Sequence, residues 1–401
     1  MITGTVTGMF KRYTFDLRVT TRLILVALSV LALAACSSKD INEDDLPAEL
    51  VKFKRAFKVK KVWRESVGDD TEKLRLALRP ATDGSYVYGA SHDGKIVAVS
   101  ADKGRKLWRK KTKLPLSGGP ATNGELVVAG SSDGDLIALD AATGEELWRI
   151  TVTSEVLSTP AVADDRVIVR TVNGKLAAYS NQDGEQLWSV QQSMPKLSVR
   201  GTSGPVLSRN LALSGFDNGR VSAFDLNDGG MIWDVLVQLP SGRTEIERLA
   251  DINSTIHVAG GDVYAVGYQG RLAAIAIESG KMVWAREMSS DKGLAVDVSS
   301  IFVTNQRGEL VAVSRGSGRE LWRKSDLRNR DVSAPAILGR SVVVGDFEGY
   351  LHWYDIETGD LQARARAGSD RITSQPLVLN DMLYVMSDNG SMYAFRVKPS
   401  K

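Results

Sequence analysis

"DGDLIALDAATGEELW" (residues 133–148) and "NGKLAAYSNQDGEQLW" (residues 173–188) are nearly the same sixteen-residue phrase, forty residues apart. Each begins on an Asp-Gly or Asn-Gly pair, continues as an alternating apolar stretch, turns at a second Gly and reaches a Trp four residues later. The first Gly recurs at positions 94, 134, 174, 219, 270, 308, 349 and 390, with spacings of 40, 40, 45, 51, 38, 41 and 41. The second recurs at 104, 144, 184, 229, 280, 318 and 359, and six of these seven are followed by Trp108, Trp148, Trp188, Trp233, Trp284 and Trp322. The seventh is followed by Ala363. A period of about forty residues marks propellers and helical solenoids.

The period inside one unit decides between them. In "ELVVAGSSDGDLIALD" apolar residues alternate on both sides of Asp133-Gly134, which is the pattern of half-buried strands rather than helices. Asp-Gly and Asn-Gly supply the positive φ angles of a tight hairpin turn. With "EELWRI" as a further strand and "GGPATNG" as a leading one, each unit predicts a four-stranded antiparallel propeller blade. The eighth copy ends in "SMYAFRVKPSK" with no second turn. Its missing strand is "FKVKKVWRESV", which carries Trp63 before the first full unit. Pairing these two removes two open sheet edges. The expected fold is therefore all-β: an eight-bladed propeller over residues 51–401, its last blade closed by the N-terminal strand, with the repeat Trp residues as core between blades.

The N-terminus reads differently. "LILVALSVLALAA" (residues 23–35) follows Lys11, Arg12, Arg18 and Arg22, and is too short to span a membrane. Residues 1–35 suit a signal peptide, starting at Met1 or Met9. The run ends in "LAAC", which resembles the bacterial lipobox and implies lipidation at Cys36, the chain's one cysteine. Ser37 follows, without an Asp to mark inner-membrane retention, so the expectation is the outer membrane, periplasmic side. The polar, acidic segment 36–50 reads as a flexible tether.

Beyond residue 35 the chain holds 47 basic and 47 acidic residues, a balance with no electrostatic footprint for nucleic acid or anionic lipid. "KFKRAFKVKK" (residues 52–61) reads as the solvated face of an edge strand. His92, His257 and His352 lie in different units with no metal-ligand spacing, the first as a turn residue and the others as packed side chains. No nucleophile elbow, zinc helix or phosphate loop is present. Asp140, Asp225 and Asp355 share one repeat position, as turn caps do.

The phrases "ALDAATGEELW", "AVSADKGRKLW", "AYSNQDGEQLW" and "AVSRGSGRELW" resemble the quinoprotein (PQQ-type) propeller repeat. That resemblance implies the fold more than the function. One reading is a dehydrogenase holding pyrroloquinoline quinone and Ca²⁺ on the ring axis, but such enzymes carry a vicinal disulfide and wall insertions for which this chain has neither the cysteines nor the length. The other is a scaffold without cofactor, metal or catalysis. A scaffold's function should sit where its repeat is broken. From Trp to the next blade's first Gly is 24–27 residues at most joints, 31 from Trp63 to Gly94 and from Trp188 to Gly219, and 37 from Trp233 to Gly270. The last two adjacent connections hold "QQSMPKLSVRGTSGP" and "LPSGRTEIERLADINST". Neither contains an aromatic ring of the kind a polysaccharide-binding envelope lipoprotein would display.

Lipobox, acidic tether, eight blades, "MPKLSVRG", "GRTEIERLADIN" and "GDFEGYLHWYDIETG" together are similar to the BamB family of lipoproteins from the outer-membrane β-barrel assembly machinery. The resemblance implies a partner, the POTRA domains of BamA, with other Bam lipoproteins reached through the complex, unfolded outer-membrane proteins as clients, and membrane contact only through the lipid. Carried over residue by residue, it implies partner contacts at Leu197, Val199, Arg200, Asp251 and Asn253. Val199 stands where the family has Leu, and Asn253 where it has Asp. Met194, Glu245 and Arg248 join them as neighbouring loop residues, Arg200 being the expected anchor.

Overall fold

Each phrase folds into one sheet. The computed structural model describes residues 46–69, 78–198, 203–239 and 249–398, with 1, 4, 74, 76, 243, 244 and 246. The expected signal peptide, Cys36, the tether as far as residue 45, Val199, Arg200, Glu245 and Arg248 lie outside the described residues. The chain divides into two units after residue 46, and all the described strands belong to the second, Pro47–Lys401. These strands form eight four-stranded antiparallel sheets. Blades 1 to 7 are consecutive, at 81–111, 116–151, 161–191, 206–236, 257–287, 293–324 and 336–366. Blade 8 takes three strands from 377–398, and its fourth is Lys58–Ser66, paired antiparallel to Ser391–Lys398.

The repeated Trp joins each blade to the next. Trp148 Nε1 donates to the carbonyl of Asn181 in blade 3 at 2.8 Å, and Trp108 to Ala141 at 2.8 Å. Trp63, Trp188, Trp233, Trp284 and Trp322 make the same bond to Ala101, Leu226, Ile277, Arg315 and Ile356. Each ring lies on the second-turn Gly of the following blade. A Cβ at Gly144, where φ is +74°, would sit 2.6 Å from Trp108 Cδ2, so both backbone and space exclude a side chain there. The Gly-x-x-x-Trp spacing is thus a contact between successive copies rather than within one. Behind it, core side chains from two blades interleave, as Leu126, Leu136 and Trp148 do with Val167, Val169 and Tyr179.

This contact explains Ala363. Blade 8 is where the chain's two ends meet, so it has no turn between its third and fourth strands and no Gly for a ring to rest on. In blades 1 to 6 Ala on the third strand faces Trp on the fourth, as Ala138 faces Trp148. In blade 7 the pair is inverted, Trp353 facing Ala363. Trp353 is fully buried and meets Phe395 of blade 8 edge-on, with ring centroids 6.5 Å apart.

Residues 47–57 form a strap along the outer edge of blade 7. Ala48 N donates to Arg328 O at 2.9 Å and Ala56 N to Gln362 O at 2.9 Å, while Arg330 and Arg364 donate to the carbonyls of Ala48 and Val51. Residues 47–50, expected in the tether, therefore lie on the ring, because these backbone bonds and the packing of Leu50 hold them there. The basic run 52–61 alternates exposed lysines and arginines with partly buried Phe53, Phe57 and Val59, as its alternation predicts.

Under the strap lies a buried polar cluster. Arg364 Nε donates to His352 Nδ1 at 3.2 Å, which assigns the neutral Nε2–H tautomer facing Asp346 Oδ2 at 3.0 Å. Arg330 Nε bonds the same carboxylate oxygen at 2.9 Å. Burial lowers the His352 pKa below 6.5 against the pull of Asp346. Burial also pushes His257 down, to about 4, with help from Arg79. Both histidines stay neutral in the fold while the unfolded chain takes protons, so stability is fully present above about pH 6.5 and declines as pH falls below it. His257 alone accounts for a loss of about 2 kcal/mol by pH 5. Urea midpoints at pH 7 and pH 5 check this; equal midpoints would refute it.

Candidate functional site

The two long connections flank one turn. In blade 4, "GFDNGR" turns between strands Leu211–Gly215 and Arg220–Asp225. On one side Asn218 Nδ2 donates to Ser193 O in the first connection at 3.1 Å. On the other, Val237 N and Gln238 N donate to Gly219 O at 2.9 and 3.1 Å, and Ile252 N donates to Phe216 O at 3.1 Å. Both connections therefore emerge on the same face, side by side over blades 3 to 5. That is the face of every Asp-Gly or Asn-Gly turn, since each such turn accepts a bond from the connection that follows its blade, as Gly134 O does from Val152 N at 2.7 Å.

Beneath the first connection sits an enclosed ion pair. Arg170 Nη2, at the end of strand Arg166–Arg170, lies 2.5 Å from Asp217 Oδ1, with the two side chains only 2% and 1% exposed. Its Nη1 donates to Ser203 O at 3.4 Å, and its guanidinium lies 5.4 Å from the Phe216 ring centroid. A charge buried this deeply needs its partner, so the pair fixes blade 4's turn, blade 3 and the return of the loop together. Sequence reasoning missed it, since Arg170 ends an ordinary strand and Asp217 belongs to an ordinary turn.

The expected contact residues divide. Leu197 is 44% exposed, an apolar side chain facing solvent. Met194 is half-buried, its sulfur folded over Gly174 of the blade 3 turn. Asp251 and Asn253, expected as partner contacts, are buried here, at 0% and 4% exposed. The reason is the path of the backbone. Ile252 is fully buried and packs over Gly215 and Gly267, while Asp251 O accepts from Tyr268 N at 2.9 Å. The segment is thereby clamped between the turns of blades 4 and 5, with its polar side chains turned inward. In their place Leu239 and Ile246 are each 64% exposed on the second connection. The available sign was two aliphatic residues set among polar ones, outside any alternation.

The other candidates for chemistry behave structurally. Asp140 Oδ1 accepts from Ala142 N and Thr143 N at 3.0 and 2.7 Å, holding its carboxyl below the usual range, and Asp225 and Asp355 cap their turns likewise. His92 Nδ1 lies 3.0 Å from Leu116 O. Among the described residues none of these candidates brings a nucleophile to a base. The face instead offers exposed aliphatic side chains on a rigid, internally bonded frame, an arrangement fit for binding another protein.

The family model described as outer membrane protein assembly factor BamB matches residues 92–324 and 310–399. The chain is 42% identical over 376 residues to the outer membrane protein assembly factor BamB of Pseudomonas aeruginosa, covering 94% of this chain and 98% of that protein. To the protein of the same name from Escherichia coli K12 it is 34% identical over 378 residues, 92% of this chain and 96% of the relative. Among solved structures, BamB from Moraxella catarrhalis superposes with a TM-score of 0.77 at 28% identity, over 84% of this chain and 99% of that one. A europium-containing methanol dehydrogenase superposes at 0.66 with 12% identity, over 84% and 93%, a likeness of fold alone.

Proposed function

The chain belongs to the family of outer membrane protein assembly factors named BamB, and on that premise we propose that it is a non-catalytic scaffold of the β-barrel assembly machinery. It associates with the outer membrane, is held on the periplasmic side by a lipid at Cys36, and binds the POTRA domains of BamA through the loop face of blades 3 to 5. Unfolded outer-membrane proteins are the clients it helps to assemble, and other Bam lipoproteins are reached through the complex rather than by direct contact.

The observation that supports this most is the exposure of Leu197, Leu239 and Ile246 on two connections braced by one shared turn. Three separated aliphatic side chains on a fixed frame suit apolar hollows in a partner. Val199 and Arg200 follow shortly after Leu197 in sequence, and Arg200 serves in this reading as the charged anchor. Asp251 and Asn253 serve the site by shaping the second connection from inside, which gives them a positioning role.

These roles separate experimentally. Titrated calorimetrically against the POTRA region, the double variant Leu197→Glu/Ile246→Glu is expected to bind at least about thirtyfold more weakly, corresponding to about 2 kcal/mol or more. Its melting temperature should be unchanged, because both side chains are in solvent. Arg200→Glu should behave alike. Asp251→Ala should lower both binding and melting temperature, since its site is enclosed. Undiminished binding by the double variant would move the interface off this face.

A further inference from the structure

The connections that leave the loop face lead into the first strands of the blades, which pack against one another around the ring axis. The residues just ahead of those strands close the axis into a cavity of about 60 Å³, lined by Arg79, Thr159, Thr255, His257, Lys292 and Thr373, among others. They come from blades 1, 3, 5, 6 and 8, so only the closed ring assembles them. A water needs roughly 10–15 Å³ of such space. The cavity therefore has room for a group of a few heavy atoms.

Among the described residues, Arg79 has no carboxylate of its own there. Lys292 lies 3.0 Å from Asp331 and 3.4 Å from Asp291, and Asp331 is shared with Arg371 at 3.0 Å. Two cations thus meet two carboxylates at the rim. Thr373 Oγ1 donates to Asp388 at 2.9 Å. Arg79 has no hydrogen-bond or ion-pair partner among the described residues. It lines the cavity, is only partly exposed, and its surroundings are dry enough to lower its pKa. Beside it stands His257, kept neutral by burial and by Arg79 itself. An uncompensated guanidinium away from bulk water is costly, and its planar fork of donors matches carboxylate and phosphate oxygens. The hydroxyls of Thr159 and Thr255 on the same wall can donate further bonds.

We infer that the mouth of the ring axis is a binding site for one small oxyanion, a carboxylate or a phosphate, held by Arg79 with Thr159 and Thr255. The site is independent of the aliphatic patch and would exist whether or not that patch binds POTRA domains. It opens on the same face, so an anionic group on a docked partner could reach it, as could a free anion.

The full chain, in a chloride background of fixed ionic strength, is titrated with inorganic phosphate and separately with acetate while the ring protons of its three histidines are followed by NMR. The expected result is a saturable shift at His257 with at least one anion and none at His92 or His352. The His257 pKa should rise from about 4, since a bound negative charge favours the imidazolium. Response to phosphate alone or to acetate alone supports the site and selects tetrahedral or planar geometry. Arg79→Met should weaken binding at least tenfold, and Thr159→Val serves if that variant does not fold. No saturable shift at His257 with either anion, or equal binding by a folded Arg79→Met chain, would overturn the assignment.

Discussion

Replacing Trp148 with alanine is expected to lower the unfolding free energy by about 3–5 kcal/mol, the range for deleting a large buried aromatic side chain. The indole is only 6% exposed and carries two contacts that a smaller residue cannot supply. Its ring covers Gly184, where a Cβ would lie 2.9 Å from Trp148 Cε3, and its N–H donates to Asn181 O at 2.8 Å. Alanine leaves a void between blades 2 and 3 and a carbonyl without its donor. Trp148→Phe should cost less, since it keeps a ring on the glycine while losing the hydrogen bond. Denaturation midpoints rank the two, and hydrogen exchange should locate the loosening in blades 2 and 3. A cost below about 1 kcal/mol for alanine would mean that the joint is not a principal source of rigidity.

Asp217→Ala should be of similar size, about 3–5 kcal/mol, for a different reason: it strands the Arg170 guanidinium in an enclosed site. The double variant Arg170→Met/Asp217→Leu should be distinctly more stable than Asp217→Ala, because apolar side chains fill the space without an orphaned charge. It should still bind the POTRA region poorly, since Arg170 also holds Ser203 O and with it the return of the first connection. Stability recovered without recovery of binding would assign the pair to shaping the loop. A double variant as unstable as the single one would show that charge burial is not the governing cost.

The blades were legible because two local signals coincide: period-two alternation, and turn pairs that require positive φ. Gly134 and Gly174 have φ of +86° and +83°, as the Asp-Gly and Asn-Gly reading demands. Closure by Lys58–Ser66 was legible because a Trp strand without its turn at one end answered a turn without its strand at the other. Ala363 was visible as a departure, but its cause was not, since the compensating Trp353 lies ten residues earlier on the neighbouring strand. At the candidate site, the exposure of Leu197 was legible from an apolar residue outside the blade alternation. Asp251 and Asn253 read as surface residues because polar residues in a long connection ordinarily are. What turns them inward is the clamp of Ile252 between two blade turns, a tertiary effect that no window of sequence contains. Arg79 escapes notice for the same reason, its importance arising only when five blades converge.

The pairing of Lys58–Ser66 with Ser391–Lys398 also sets the order of events in time. Within the other seven blades every strand pairs with its neighbour in sequence, so each sheet can form as soon as its own forty residues are available. The last joint matches Lys58 with Lys398. Closing a loop of that length carries an entropic cost of about 5 kcal/mol before any contact forms, and contacts of such separation slow folding. The seam in blade 8 is therefore the final step of folding and the natural first step of opening. Until it closes, the chain is an arc with a bare edge at each end, the axial cavity is incomplete, and the blades already formed wait on the final strand.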